Sequence, residues 1–129
     1  MKEVVLIRGL PGSGKTTIAK SMMDDAVRSY AHVEADDYFM GQDGAYRYDG
    51  SKITNAHDAC YFSAAKALQD GKSVIVANTF SRLWEMERYY RLAASFGCNV
   101  RVLTATGRYQ NVHGVPVEII QRMRDRWES

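Results

Sequence analysis

The chain has 129 residues, of which 46% are hydrophobic, 25% charged and 11% aromatic, a profile that excludes disordered, fibrous and disulfide-dense classes. That length gives one domain a sizeable core and leaves no room for a second with its own function, so residues 1–129 are expected to form a single domain. The net charge is +2 with Lys and Arg dispersed, too mild to argue by itself for a nucleic-acid partner, and no apolar run approaches the ~18 residues of a membrane span.

The N-terminus enters an apolar run almost at once, which predicts no signal peptide and a cytoplasmic location. Cys60 and Cys98 lack metal-type spacing and are expected to be reduced, small apolar fillers. His32, His57 and His113 are too scattered to suggest a metal cluster.

Val4-Val5-Leu6-Ile7 is a β-branched run that reads as a strand buried on both faces, and residues 17–30 have the length and spacing of a helix. Between them stands Gly9-Leu10-Pro11-Gly12-Ser13-Gly14-Lys15-Thr16, followed by Thr17, a complete match to the pattern Gly-x-x-x-x-Gly-Lys-[Ser/Thr] in its strand-to-helix context. The glycines let backbone N–H groups turn inward, and the helix N-terminus adds partial positive charge, so a polyphosphate can nest there. Lys15 reaches the outer phosphates and the Thr16 hydroxyl is a ligand for the accompanying Mg²⁺. The motif therefore predicts binding of a nucleoside triphosphate with Mg²⁺.

Ala31-His32-Val33-Glu34-Ala35 is a second strand ending at Asp36-Asp37. Ligands of open parallel sheets bind outside the carboxyl ends of the strands, which puts this pair beside the phosphate loop. Residues 38–50 read as a loop carrying Tyr38, Phe39, Tyr46, Arg47 and Tyr48. These rings either stack on bases of a single strand or pack the loop onto the sheet. Ser51 or Thr54 caps a helix running to Asp70, with Gly71 as its stop. Val74-Ile75-Val76-Ala77 is a third buried strand closed by Asn78-Thr79-Phe80-Ser81-Arg82, residues 83–96 a further helix, and Val100-Arg101-Val102-Leu103-Thr104 a fourth strand. Residues 106–115 form a loop, and Pro116 opens a last helix in the N1 position that proline favours. Val117, Ile120, Met123 and Trp127 share one face of it, expected to be a core stripe. Strands alternating with helices predict an α/β fold in three layers, a short parallel sheet flanked by helices.

A phosphate loop serves many functions, so the class has to come from other residues. The Asp36-Asp37 pair points to a kinase, because phosphoryl transfer needs a group beside the γ-phosphate to orient the acceptor hydroxyl and take its proton. No Asn-Lys-x-Asp motif supports a GTPase. A kinase for a small metabolite or nucleoside would use the same residues, and a nucleotide-binding module without transfer activity remains the rival from another class.

Taken together, the phosphate loop with Asp36-Asp37-Tyr38-Phe39, Asp43-Gly44-Ala45-Tyr46, Ala56-His57, Asn78-Thr79, Trp84-Glu85-Met86, Asn111-Val112-His113-Gly114-Val115-Pro116 and Arg122-Met123 resembles the phage-type polynucleotide 5′-hydroxyl kinases. The resemblance is closer still to the kinase-like domain of Nedd-four-binding-protein-two-like proteins, and it runs over nearly the whole chain. It implies a P-loop kinase fold and transfer of the γ-phosphoryl of ATP, with Mg²⁺, to the 5′-hydroxyl of DNA or RNA. It places the general base on Asp37, the metal-binding hydroxyl on Thr16, and an arginine-bearing lid on residues 106–115.

Two departures from the family pattern bear on the chemistry. The relatives end the third strand in an Asp before Asn-Thr, where this chain has Ala77, so the metal's missing charge is assigned to Asp36, with Asn78 bonding a metal-bound water. In the lid, the relatives carry Arg directly before the Asn, where this chain has Gln110. Arg108 and Arg82 are the candidate replacements, each a surface charge otherwise.

Overall fold

The computed structural model describes residues 2–24, 29–107 and 115–129. Its elements follow the expected alternation: β1 (Glu3–Arg8), α1 (Lys15–Met23), β2 (Tyr30–Val33), α2 (Ile53–Gln69), β3 (Ser73–Asn78), α3 (Glu87–Ser95), β4 (Asn99–Thr104) and α4 (Val117–Asp125). The strands form one sheet in the order β2–β3–β1–β4 with every pair parallel.

The two central strands explain the layering. Side chains alternate across a strand, so Val4, Leu6, Val74 and Val76 face one side, where they pack with Ala56, Cys60, Ala64 and Leu68 of α2 and Tyr89 and Leu92 of α3. Val5, Ile7, Ile75 and Ala77 face the other and meet Ala19, Ile18 and Met22 of α1. Both faces are thus covered. Each fully buried Val, Leu or Ile contributes roughly 1.5–3 kcal/mol, which fixes the carboxyl ends of β1 and β3 side by side through the pair Arg8 and Asn78.

Several boundaries differ from expectation for local reasons. The first helix starts at Lys15, directly on the phosphate loop. The chain after β2 coils at once into a 3-10 turn, Ala35–Phe39, so the aspartate pair sits on a turn and not on extended backbone. A second 3-10 turn, Leu83–Met86, precedes α3. Pro116 is the N-cap residue of α4, with ψ 144°, and Val117 is the first helical position.

The expected core stripe of α4 is a correction. Val117 is 78% exposed, Ile120 and Met123 are half-buried, and no residue of the helix is buried. The helix is held at its C-terminal end instead. The buried Arg8 guanidinium stacks 4.2 Å from the Trp127 ring and donates to the Glu128 carbonyl. Glu128 in turn donates its N–H to Ser81 O at 2.7 Å. Arg8 also donates twice to Phe80 O, at 3.1 and 2.7 Å, which braces Phe80 at φ 47°, a left-handed conformation costing a non-glycine residue about 1–2 kcal/mol. Among the described residues no helix is long and apolar enough to cross a membrane, and Cys60 and Cys98 are free thiols.

Candidate functional site

The phosphate loop owes its shape to glycine at defined positions. Gly12 and Gly14 have φ of 81° and 95°, where a Cβ is strained, and a Cβ on Gly9 would lie 2.3 Å from Ser13 Oγ. The loop is closed on itself by a backbone bond from Ser13 N–H to Leu10 O (3.1 Å) and tied to its surroundings by bonds from Gly9 N–H to Thr79 O (3.2 Å) and Gly107 N–H to Ser13 O (2.9 Å). The first-turn N–H groups of α1, from Lys15, Thr16 and Thr17, have no partner within the helix and define its electropositive end. The buried Ser13 hydroxyl has no hydrogen-bond partner among the described residues. Lys15 folds back over the loop, its Nζ donating to Gly9 O at 2.8 Å and Leu10 O at 3.1 Å. Burial lowers the Lys15 pKa, and the negative charges of Glu34 and Asp36 oppose that shift.

An acidic wall stands opposite. Thr16 Oγ1 donates to Glu34 Oε2 at 3.1 Å, and His32 Nε2 lies 2.6 Å from the same oxygen. Asp37 Oδ2 accepts the Glu34 N–H at 3.3 Å. Tyr46 donates its hydroxyl to Asp36 Oδ1 at 3.0 Å. The two flanking carboxylates are pushed apart. Burial acts to raise Glu34, but the close contact of His32, the Thr16 hydrogen bond and nearby positive charge prevail and hold it below the ordinary carboxylate range. Asp37 is raised, by burial first and then by the charge of Glu34. Carboxylates driven in opposite directions are suited to different roles, one a permanent charge and the other a proton acceptor.

Asn78 braces this wall from β3. Its Oδ1 accepts the Ala35 N–H at 2.8 Å, and its amide nitrogen donates to Cys60 Sγ at 3.6 Å. One end of the side chain therefore fixes the turn that carries Asp36 and Asp37, and the other ties β3 to Cys60 of α2. Arg82 is drawn to the C-terminal residues, with Nε 3.2 Å from Glu128 Oε1 and Nη1 3.4 Å from Arg126 O. Arg108, with most of the lid expected over residues 106–115, lies outside the described residues. The pKa of His57, on α2, is lowered by burial, against the opposing charge of Glu85.

Two hollows adjoin the acidic turn. A cavity of about 220 Å³ is bounded by Glu34, Asp37 and Tyr38 on one side and by Ala56, Cys60 and Ser63 of α2 on the other. A broader groove of about 640 Å³ runs along Tyr38, Met40, Arg47, Tyr48 and Lys52, and Tyr38 lines both. Of the aromatic residues in this segment, Phe39 is buried, whereas Tyr38 and Tyr48 are 44% and 60% exposed. The segment thus divides into two rings that pack, Phe39 and the half-buried Tyr46 against it, and two that face solvent.

Glu34 is the site residue that motif reading passed over. Its signal was the two-residue period of the second strand, which puts His32 and Glu34 on one face.

Residues 4–106 match the model of a family described as an AAA domain. The chain belongs to this family. It is 32% identical over 135 residues to human NEDD4-binding protein 2, an alignment that takes in 97% of this chain and only 8% of that protein. Among solved structures, Chaetomium thermophilum Kti12 in complex with ADP-AlF3 superposes with a TM-score of 0.74 at 16% identity, covering 98% of this chain and 80% of that one. A chain of the Pnkp1/Rnl/Hen1 complex superposes with a TM-score of 0.66 at 19% identity, covering 94% of this chain and 38% of that one. At these identities the structural likeness establishes the fold, that of P-loop kinases, as the sequence motifs implied.

Proposed function

We propose that the chain is an ATP-dependent phosphotransferase whose acceptor is the 5′-hydroxyl of a polynucleotide. The observation that carries this reading is the position of Asp37, which lines the small cavity, accepts the N–H of the Glu34 that contacts Thr16 of the phosphate loop, and is followed by Tyr38, the residue shared by cavity and groove. The loop amides and Lys15 hold the β- and γ-phosphates. Asp37 takes the proton of the acceptor hydroxyl as its oxygen bonds to the γ-phosphorus; the bond from that phosphorus to the β–γ bridging oxygen breaks, and ADP leaves. The raised Asp37 pKa, pushed up first by burial and then by the charge of Glu34, makes it a stronger base than a solvated aspartate.

Mg²⁺ fits the loop's first turn. The Thr16 hydroxyl and a carboxylate 3.1 Å away form a hard-oxygen donor set, and no cluster of three or more His, Cys, Asp or Glu side chains competes for an all-protein site among the described residues. Thr16 would hold the ion together with the nucleotide phosphates, and Asp36 adds negative charge nearby. The bound ion would supply neutralisation of charge on the transferring phosphoryl group.

The groove supports a polynucleotide acceptor. With the end hydroxyl at Asp37, the next bases would lie over Tyr38 and Tyr48, each stacked base contributing roughly 1–3 kcal/mol. The size and acidity of the small cavity favour a second reading, a hydroxylated metabolite in place of a polynucleotide end. The test is transfer of label from γ-labelled ATP to a panel of 5′-hydroxyl oligonucleotides, nucleosides and small polyols. Labelled oligonucleotide is the expected result. Label only in a small acceptor establishes the second reading, and ATP binding with no acceptor-dependent ADP release reduces the chain to a binding module.

A further inference from the structure

We infer that Glu34 supplies the carboxylate of the divalent-metal site, in the place that a third-strand acid would occupy, and that it acts by holding the Thr16 hydroxyl and carrying the charge that attracts the ion. The inference rests on the nucleotide-binding half of the proposed function and is independent of the acceptor.

The third strand has no such group to offer. Ala77 is buried against α1, and the neighbouring Asn78 spends both ends of its amide on Ala35 and Cys60. The structure fills the gap from Glu34, the residue that follows β2 and caps the 3-10 turn. Helix α1 lies over the face of the sheet that includes β2, and its first turn brings Thr16 Oγ1 to 3.1 Å from Glu34 Oε2. A hydroxyl has one proton and two lone pairs. With its proton directed at Glu34, the Thr16 oxygen keeps its lone pairs for a cation at the phosphate loop.

Glu34 is itself held in place. Its side chain is 12% exposed and His32 Nε2 sits 2.6 Å from the oxygen that receives the Thr16 proton. Its backbone N–H is fixed by Asp37 Oδ2 at 3.3 Å. The same acid therefore touches the metal-binding hydroxyl through its side chain and the proposed base through its backbone. Glu34 is a positioning residue in this account, and outer-shell partners of this kind typically change metal affinity by about 10–100-fold when removed.

The test is ATP affinity measured by calorimetry in Mg²⁺ and again in excess chelator, for wild type, Glu34→Gln and Glu34→Asp. Wild type is expected to bind ATP more tightly with Mg²⁺. In Glu34→Gln that enhancement should shrink about tenfold or more, with metal-free affinity unchanged or improved because a negative charge near the phosphates is gone. Glu34→Asp should recover part of the enhancement. An unchanged enhancement in Glu34→Gln overturns the inference. So does an equal fall of both affinities, which would make Glu34 a support of the turn alone, and so does a wild type indifferent to Mg²⁺. No acceptor enters the measurement, so a chain that fails to label oligonucleotides can still pass it, whereas a wild type that binds no ATP loses both readings.

Discussion

The phosphate loop and the acidic wall facing it are built by opposite means. The loop is one contiguous run, Gly9 to Thr17, shaped by left-handed backbone at Gly12 and Gly14 and by the close approach of Gly9 to Ser13. The wall joins one six-residue run, His32 to Asp37, to Cys60 of α2 and Asn78 of β3, both more than twenty residues away in the chain. Local steric constraint leaves a mark in sequence. Assembly across the sheet leaves almost none.

Substitutions on the two sides should therefore fail differently. The largest effect is expected from Asp37→Asn, which should lower kcat by about 10²–10⁴-fold as a general base is lost while leaving ATP affinity intact, since Asp37 does not touch the loop's phosphate-binding groups. Steady-state transfer and nucleotide titration check both halves. The pH profile sharpens the assignment. Transfer requires the ionised carboxylate, and Asp37 is raised by burial and by Glu34, so kcat should fall with decreasing pH at a higher pH than an ordinary aspartate would dictate. That acid limb should vanish from the residual rate of Asp37→Asn.

Lys15→Ala comes next, with an expected loss of about 10²–10³-fold in kcat from removal of one preorganised charge, here together with weaker ATP binding. If Lys15→Ala and Asp37→Asn produced the same pattern of kcat and nucleotide affinity, the division between the two regions would collapse. Asn78→Ala should cost about 1–3 kcal/mol of stability by leaving the buried Ala35 N–H unpaired, visible in denaturant unfolding, and should lower kcat while ATP affinity holds. Tyr48→Ala is expected to be milder, weakening KM for an oligonucleotide about fivefold or more through one lost stacking contact with no effect on a mononucleoside acceptor. Smallest of all, Val117→Ser should change stability by less than about 0.5 kcal/mol, because that side chain is in solvent.

The same contrast explains what the sequence disclosed. β1, β3 and the loop were legible because β-branched runs buried on both faces and a glycine-lysine turn each have one structural solution. Glu34 was not, since its role depends on α1 crossing to β2 and setting Thr16 beside it. The ion pair of Arg82 with Glu128, 46 residues along the chain, was equally invisible to local pattern. In the last helix, periodicity correctly marked an apolar face, but no periodicity says whether anything packs on it; the fold holds α4 by Arg8, Trp127 and Glu128 at its end and leaves Val117 exposed.

The most direct test of the central claim, that phosphoryl passes from the loop to a polynucleotide hydroxyl at Asp37, is label transfer from γ-labelled ATP to matched oligonucleotides bearing either a 5′-hydroxyl or a 5′-phosphate. It should be run with wild type and Asp37→Asn at saturating ATP and Mg²⁺. The account predicts label on the 5′-hydroxyl oligonucleotide alone, and its near-complete loss in Asp37→Asn. Bound ATP with no labelled oligonucleotide, or undiminished labelling by Asp37→Asn, would contradict it.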